Sequence, residues 1–158
     1  MPDWLTHTLV GWITGKTIHQ DISLIVIGAL IPDISKIYLL ANIILPMQTQ
    51  DFFLPIHTPF GSVLIACAVA VFFPTIKYAL IPLIIGVSTH FILDLFLLNV
   101  SGGMPLLFPF SWDQWQFDLI RSDDYTMTLV AIIAAALVYL LYFLYEKRKH
   151  KHTADKNS

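Results

Sequence analysis

Residues 86–98 read GVSTHFILDLFLL. The stretch is almost wholly apolar, yet it carries His90 and Asp94. Four residues apart, these side chains project from one face of a helix, one turn above the other. The apolar run that contains them, Tyr78 to Leu98, reaches the ~20 residues a helix needs to span a bilayer. An ionisable pair inside such a segment is costly, which marks it as a candidate functional site.

Composition points to the same class. Of 158 residues, 56% are hydrophobic and 13% charged, which is unlike an ordinary soluble domain. The length suits one domain. Net charge is −2, and the basic cluster is confined to the C-terminal EKRKHKH, so nucleic acid is not an expected partner. Cys67 is the only cysteine. That excludes an intrachain disulfide and a multi-cysteine metal site, so any metal takes nitrogen and oxygen ligands. The first fifteen residues contain Asp3 and His7 and lack a basic leader, so no cleavable signal peptide is expected.

Before the central run, Thr75 to Lys77 reads as a tight turn and Phe60 to Phe73 as a shorter apolar helix. PMQTQDFFLPIHTP, 46–59, is a loop with three prolines. Residues 22–45 are apolar but interrupted by PDISK, 32–36. Pro32 cannot donate a helical hydrogen bond, which predicts a break near Ile31. The segment reads as one broken span, or as two half-helices meeting at Asp33; broken helices in membranes line cavities. Residues 3–15 read as a short helix whose Trp4 and Trp12 suit a membrane interface.

After the central run comes a loop, 99–125, with SGG, two prolines, Trp112, Trp115 and five charged residues. Loops of this length are often functional. Thr126 to Tyr145 is the last apolar span. The pattern predicts an all-α, multi-pass membrane protein with about four spans and a short N-terminal helix. Residues 1–146 form one membrane-embedded domain, and 147–158 read as a basic, disordered tail.

The basic tail places the C-terminus in the cytoplasm. Alternation then puts Lys77 and Lys16 inside, and loops 46–59 and 99–125 outside. At about 1.5 Å per helical residue, His90 lies roughly 18 Å, and Asp94 roughly 24 Å, from the cytoplasmic end of their span. Asp33 lies roughly 17 Å along its own span, and His7 roughly 13 Å above Lys16. His57 sits at the outer end of the third segment. These five residues are therefore expected to converge in the outer half of the bilayer. Imidazole and carboxylate ligands suit zinc, manganese or iron. Each residue also has a plainer reading: a structural hydrogen bond for His90 and Asp94, a helix cap for Asp33, a solvated loop residue for His57, an interfacial histidine for His7. His19, His150 and His152 read as solvated.

The motifs occur in a particular order. Thr6, His7, Leu9 and Gly11 come first, then Gly28, Leu30, Pro32 and Asp33. HTPFGS, 57–62, follows, then Gly86, His90 and Asp94, and then a Gly-rich loop running into LLFPFSW, 106–112. This order, over residues 4–115, resembles the membrane-bound, metal-dependent hydrolases of bacteria and archaea. That family is similar in ligand order to the zinc-dependent phospholipase C and P1 nuclease group. The resemblance implies that Asp33, His57, His90 and Asp94 hold one metal, and that His7 belongs to a second, with Asp94 bridging. It departs from the group in lacking a later HxxxE pair, since Glu146 is the only glutamate. One or two ions are therefore expected rather than three.

The expected function is a hydrolase of the cytoplasmic membrane, in which metal-activated water attacks an ester or phosphoester of a lipid-like substrate. Asp33 is the candidate to orient that water or take its proton. Membrane lipids are the expected surroundings and an amphiphilic phosphoester the expected substrate. The alternative is a non-enzymatic metal- or proton-binding membrane protein, a transporter component, because intramembrane His and Asp also relay protons.

Overall fold

The computed structural model describes residues 4–37, 53–98, 103–121 and 125–156. The second half of the broken span, and residues 46–52 of the proline-rich loop, lie outside the described residues.

Helix α1, Trp4–Ile18, runs past the expected end at Gly15. Thr14 Oγ1 donates to Val10 O at 2.8 Å, and Thr17 likewise caps the carbonyl of Ile13, so hydroxyls on this turn return to the helix backbone. His19 closes the helix in the left-handed region (φ 55°), and Gln20 N–H donates to Gly15 O at 3.2 Å. Asp21 then caps α2, Ile22–Leu30, by accepting from Leu24 N at 3.1 Å. The break expected at Pro32 is present. The chain tightens there into a 3₁₀ turn, Pro32–Lys36, and Asp33 makes no capping hydrogen bond. A second 3₁₀ turn, Leu54–His57, leads into α3, Pro59–Ala70, and α4 spans Ile76–Leu95.

Helix packing runs through small residues. A Cβ at Gly28 would overlap the carbonyl of Leu83, and one at Gly86 would overlap the carbonyl of Ile25. The backbones of α2 and α4 therefore touch directly, the packing mode of helices in lipid, where apolar burial alone gives no association. Gly11 of α1 faces Ala29 and Val26 of α2. Ala66 and Ala70 of α3 join Ala79, Leu83 and Val87 of α4 in a buried cluster.

The last helix, α5, Thr126–Lys156, lies along α1. Thr6 Oγ1 meets Thr128 Oγ1 at 3.0 Å, and Lys16 Nζ stands 4.0 Å over the Tyr142 ring, so the two helices run in the same direction. Ala131 and Ala135 are buried, while Leu137, Tyr139 and Leu141 are exposed. Where the sequence reads a disordered tail from 147, the helix continues to Lys156. Glu, Lys and Arg are good helix formers, and the preceding apolar turns supply the nucleus.

Among the described residues, α4 and α5 are long and apolar enough to cross a membrane. Helices α1, α2 and α3, with 15, 9 and 12 residues, fall short of the ~20 needed to cross alone. The fold is not purely helical. Leu97–Leu98 pairs in parallel with Ile120–Arg121, and Met104 forms an antiparallel bridge with Trp115. Phe117 N–H donates to Leu95 O at 2.7 Å, which fastens the segment 103–121 onto the end of α4.

Candidate metal centre

The first turn of α1, the 3₁₀ turn after α2, the 3₁₀ turn before α3 and the last two turns of α4 meet at one end of the molecule. They bring together His7, Asp33, His57, His90 and Asp94, the five residues expected to converge. His90 and Asp94 share a face of α4, and His90 Nε2 lies 3.3 Å from Asp94 Oδ2. His57 Nε2 lies 3.3 Å from the same oxygen and 3.3 Å from His90 Nε2. Asp33 Oδ1 stands 3.9 Å from both histidine nitrogens. His7 stacks on His90, with ring centroids 3.7 Å apart and planes at 14°, and its Nε2 lies 3.5 Å from Asp94 Oδ1.

Local sequence explains these positions. His90 Nδ1 donates to Ala29 O at 2.7 Å, a contact made possible by the close crossing at Gly28 and Gly86. With Nδ1 protonated, the neutral ring leaves its Nε2 lone pair facing the cluster, the usual way a backbone carbonyl orients a ligating histidine. HTPFGS has a comparable role for His57. Thr58 Oγ1 donates to Pro55 O at 2.7 Å and accepts from Gly61 N at 3.1 Å, capping α3. Ser62 Oγ donates to Ile56 O at 2.8 Å. A side chain at Gly61 would strike the Pro55 carbonyl, so glycine lets the turn fold against the helix.

The cluster lies inside the protein and is short of partners. His7, Asp33, His90 and Asp94 are buried. Among the described residues, neither nitrogen of His7 and none of the four carboxylate oxygens has an aligned hydrogen-bond partner. Lys36 Nζ meets Asp33 Oδ1 at 2.7 Å, as an ion pair. A buried polar atom left unpaired costs about 1–3 kcal/mol, and more if charged. Five such atoms, with a sixth, Asp33 Oδ1, held by Lys36, suit a cation better than an apolar core.

Spacing supports the same fit. Donors about 2.1 Å from a zinc ion at tetrahedral angles stand about 3.4 Å apart. The nitrogens of His57 and His90 lie 3.3 Å from each other and 3.3 to 3.9 Å from the oxygens of Asp33 and Asp94. Two overlapping groups can hold an ion: Asp33, His57 and His90, and His7, His90 and Asp94. Because Nδ1 of His90 is engaged by Ala29, its single free lone pair serves one ion. A second ion would have His7 and Asp94 Oδ1 as its protein ligands.

Two contributors were not singled out in the sequence. Lys36 stands three residues after Asp33, a spacing that pairs side chains on a helix and that the 3₁₀ turn, with three residues per turn, sets directly one over the other. The carbonyl of Ala29 is backbone and leaves no trace in the residue pattern. No curated protein and no solved structure matches the chain. The family model for the YdjM inner membrane protein matches residues 3–153, nearly the whole length, and the chain belongs to that inner-membrane family.

Proposed function

We propose that this chain is a metal-dependent hydrolase of the inner membrane, acting on an ester or phosphoester of a membrane-borne amphiphile. The observation that carries the reading is the convergence of two imidazoles and two carboxylates, with nitrogens 3.3–3.9 Å from the oxygens and no aligned hydrogen bonds to satisfy the acids. His57, His90, Asp33 and Asp94 hold the first ion, zinc being the best fit and manganese or iron acceptable; His7 with Asp94 supports a second. When bound, such an ion supplies Lewis-acid polarisation and makes water acidic enough to react near neutral pH. Asp33, whose Oδ1 is paired with Lys36, would take the proton from the attacking water on its other oxygen, and His90 is held in its tautomer by Ala29 O. Apolar packing around the cluster excludes bulk water.

The topology that accompanies this reading is multi-pass with a cytoplasmic C-terminus. Lys16, Lys77 and Lys147 to Lys149 belong to the ends of α1, α4 and α5 remote from the cluster, and basic residues favour the cytoplasmic side. The cluster then lies toward the outer leaflet. The span count that goes with it is about four, as the apolar runs of the sequence suggest.

Elemental analysis of detergent-purified protein, wild type beside His90→Ala, tests the centre. About one or two equivalents of zinc, manganese or iron are expected in wild type, with loss in the variant. Metal-free wild type, grown and purified with those metals and without chelator, would remove the chemistry. Metal binding with solute or proton flux and no ester cleavage would favour the non-enzymatic carrier instead.

A further inference from the structure

We infer that Lys36 binds the phosphate group of the substrate, which narrows the substrate class from esters in general to phosphoesters; the inference rests on the proposed metal centre. Lys36 occupies the last position of the 3₁₀ turn Pro32–Lys36, and its Nζ lies 2.7 Å from Asp33 Oδ1, one of the candidate donors. The ammonium thus stands against the donor set itself.

Access points to the same residue. The side chains of His7, Asp33, His90 and Asp94 are at most 2% exposed, whereas those of Lys36 and His57 are 19% and 14% exposed. A ligand reaching the cluster meets these two residues first. Lysine offers three donors; among the described residues only Asp33 takes one, which leaves two for an incoming oxygen anion.

Charge balance gives the sign of that ligand. With neutral histidines, Asp33 and Asp94 offset one divalent ion. Counted over the described residues, Lys36 then leaves one positive charge in excess at the cluster, only 19% exposed to water. A phosphate group restores the balance and has oxygens to spare for the ammonium. A neutral carboxylic ester does neither.

The competing role for Lys36 is countercharge to Asp33 and nothing more. The two roles separate in a binding experiment on cobalt(II)-loaded, full-length protein in detergent: wild type, Lys36→Met and Lys36→Arg. Cobalt uptake is read first by its visible absorption. Inorganic phosphate, and separately dihexanoyl phosphatidic acid, are then titrated by calorimetry. Wild type is expected to bind at least one of them, and Lys36→Met to keep its cobalt but bind about tenfold or more weakly, the loss of a charge-assisted hydrogen bond. Lys36→Arg is expected to retain binding within roughly threefold, since guanidinium also pairs with phosphate. Tighter binding of the phosphatidic acid identifies a lipid headgroup as the source of the phosphate; equal or tighter binding of inorganic phosphate identifies a soluble ester. Equal affinity in Lys36→Met and wild type would overturn the inference, as would cobalt-loaded wild type that binds neither probe. Loss of cobalt from Lys36→Met would assign the lysine to support of the metal ligands instead. Wild type that takes up no cobalt fails before any phosphate is added, and overturns the metal centre on which the inference stands.

Discussion

Asp94 lies in the last turn of α4 with both oxygens buried and, among the described residues, without an aligned hydrogen bond, while three imidazoles surround it at 3.3–3.5 Å. In the metal-free protein the three imidazoles offset the desolvation of this carboxylate. Asparagine has nearly the same shape and no charge. Asp94→Asn is therefore expected to melt, in chelator, at or somewhat below the temperature of wild type. Added zinc widens the gap. A ligand that binds only the folded state at 100 times its Kd stabilises by about 2.7 kcal/mol, so the wild-type melting temperature should rise with zinc and that of Asp94→Asn should not. A thermal melt of both proteins, with and without zinc, checks the pair of outcomes. The zinc-dependent part of the difference is what distinguishes a ligand from a structural hydrogen bond. The HxxxD spacing made His90 and Asp94 legible in the sequence, because helical residues four apart share a face. His57 was legible as a candidate from its place at the outer end of the third segment and from its motif. Its partners arrive from turns whose path no local pattern specifies.

The centre is only as well placed as the elements that carry it, and the tightest constraint is the crossing of α2 and α4. Gly86 abuts the carbonyl of Ile25, and the same crossing sets Ala29 O against His90 Nδ1. Gly86→Ala meets backbone that cannot rotate away. It is expected to cost about 1–3 kcal/mol by overpacking, and to weaken metal binding because His90 loses its orienting carbonyl. Gly11→Ala is the control. Its added methyl would stand 3.3 Å from Ala29 Cβ, a tight but apolar contact, and alanine gains about 1 kcal/mol of helix propensity over glycine. Little net change in stability is expected there, and calorimetric melts plus metal content compare the two. Thr58→Ala isolates the other supporting turn: loss of the α3 cap should cost about 1 kcal/mol, and a looser His57 should raise the zinc Kd, measured by competition with a chromogenic chelator. At this scale the sequence was a good guide to breaks and a poor one to ends. Pro32 stopped α2 as its missing donor requires. The end of α1 shifted to Ile18 because threonine hydroxyls and a left-handed His19 close the helix later than the polar run implies. The short pairing of 97–98 with 120–121 was invisible, since two-residue strands carry no periodicity.

The whole molecule has two unlike ends. At one, Lys16 covers Tyr142, and α5 carries the basic run beyond Tyr145. At the other, the centre sits beside the segment 103–121, which is tied to the end of α4 by Phe117 N–H to Leu95 O and reaches α3 through the Phe60–Phe108 ring contact. That segment holds Met104 in the core but turns Leu107, Phe110, Trp112, Trp115 and Phe117 outward, Phe110 being 94% exposed. So many exposed aromatics on an ordered loop are costly in water and favourable at the headgroup boundary, where tryptophan and tyrosine concentrate. On the proposed topology, the loop would lie at the headgroup level of the leaflet that holds the centre, and an amphiphile would pass from the membrane to His57 and Lys36 without crossing bulk water. Fluorescence in vesicles measures this directly. In a Trp4→Phe, Trp12→Phe background, Trp112 and Trp115 are the remaining tryptophans. Lipids brominated near the headgroup should quench them more strongly than lipids brominated near the chain ends. Quenching by an aqueous quencher alone would place the loop in water, and would send the substrate to the centre by a soluble route.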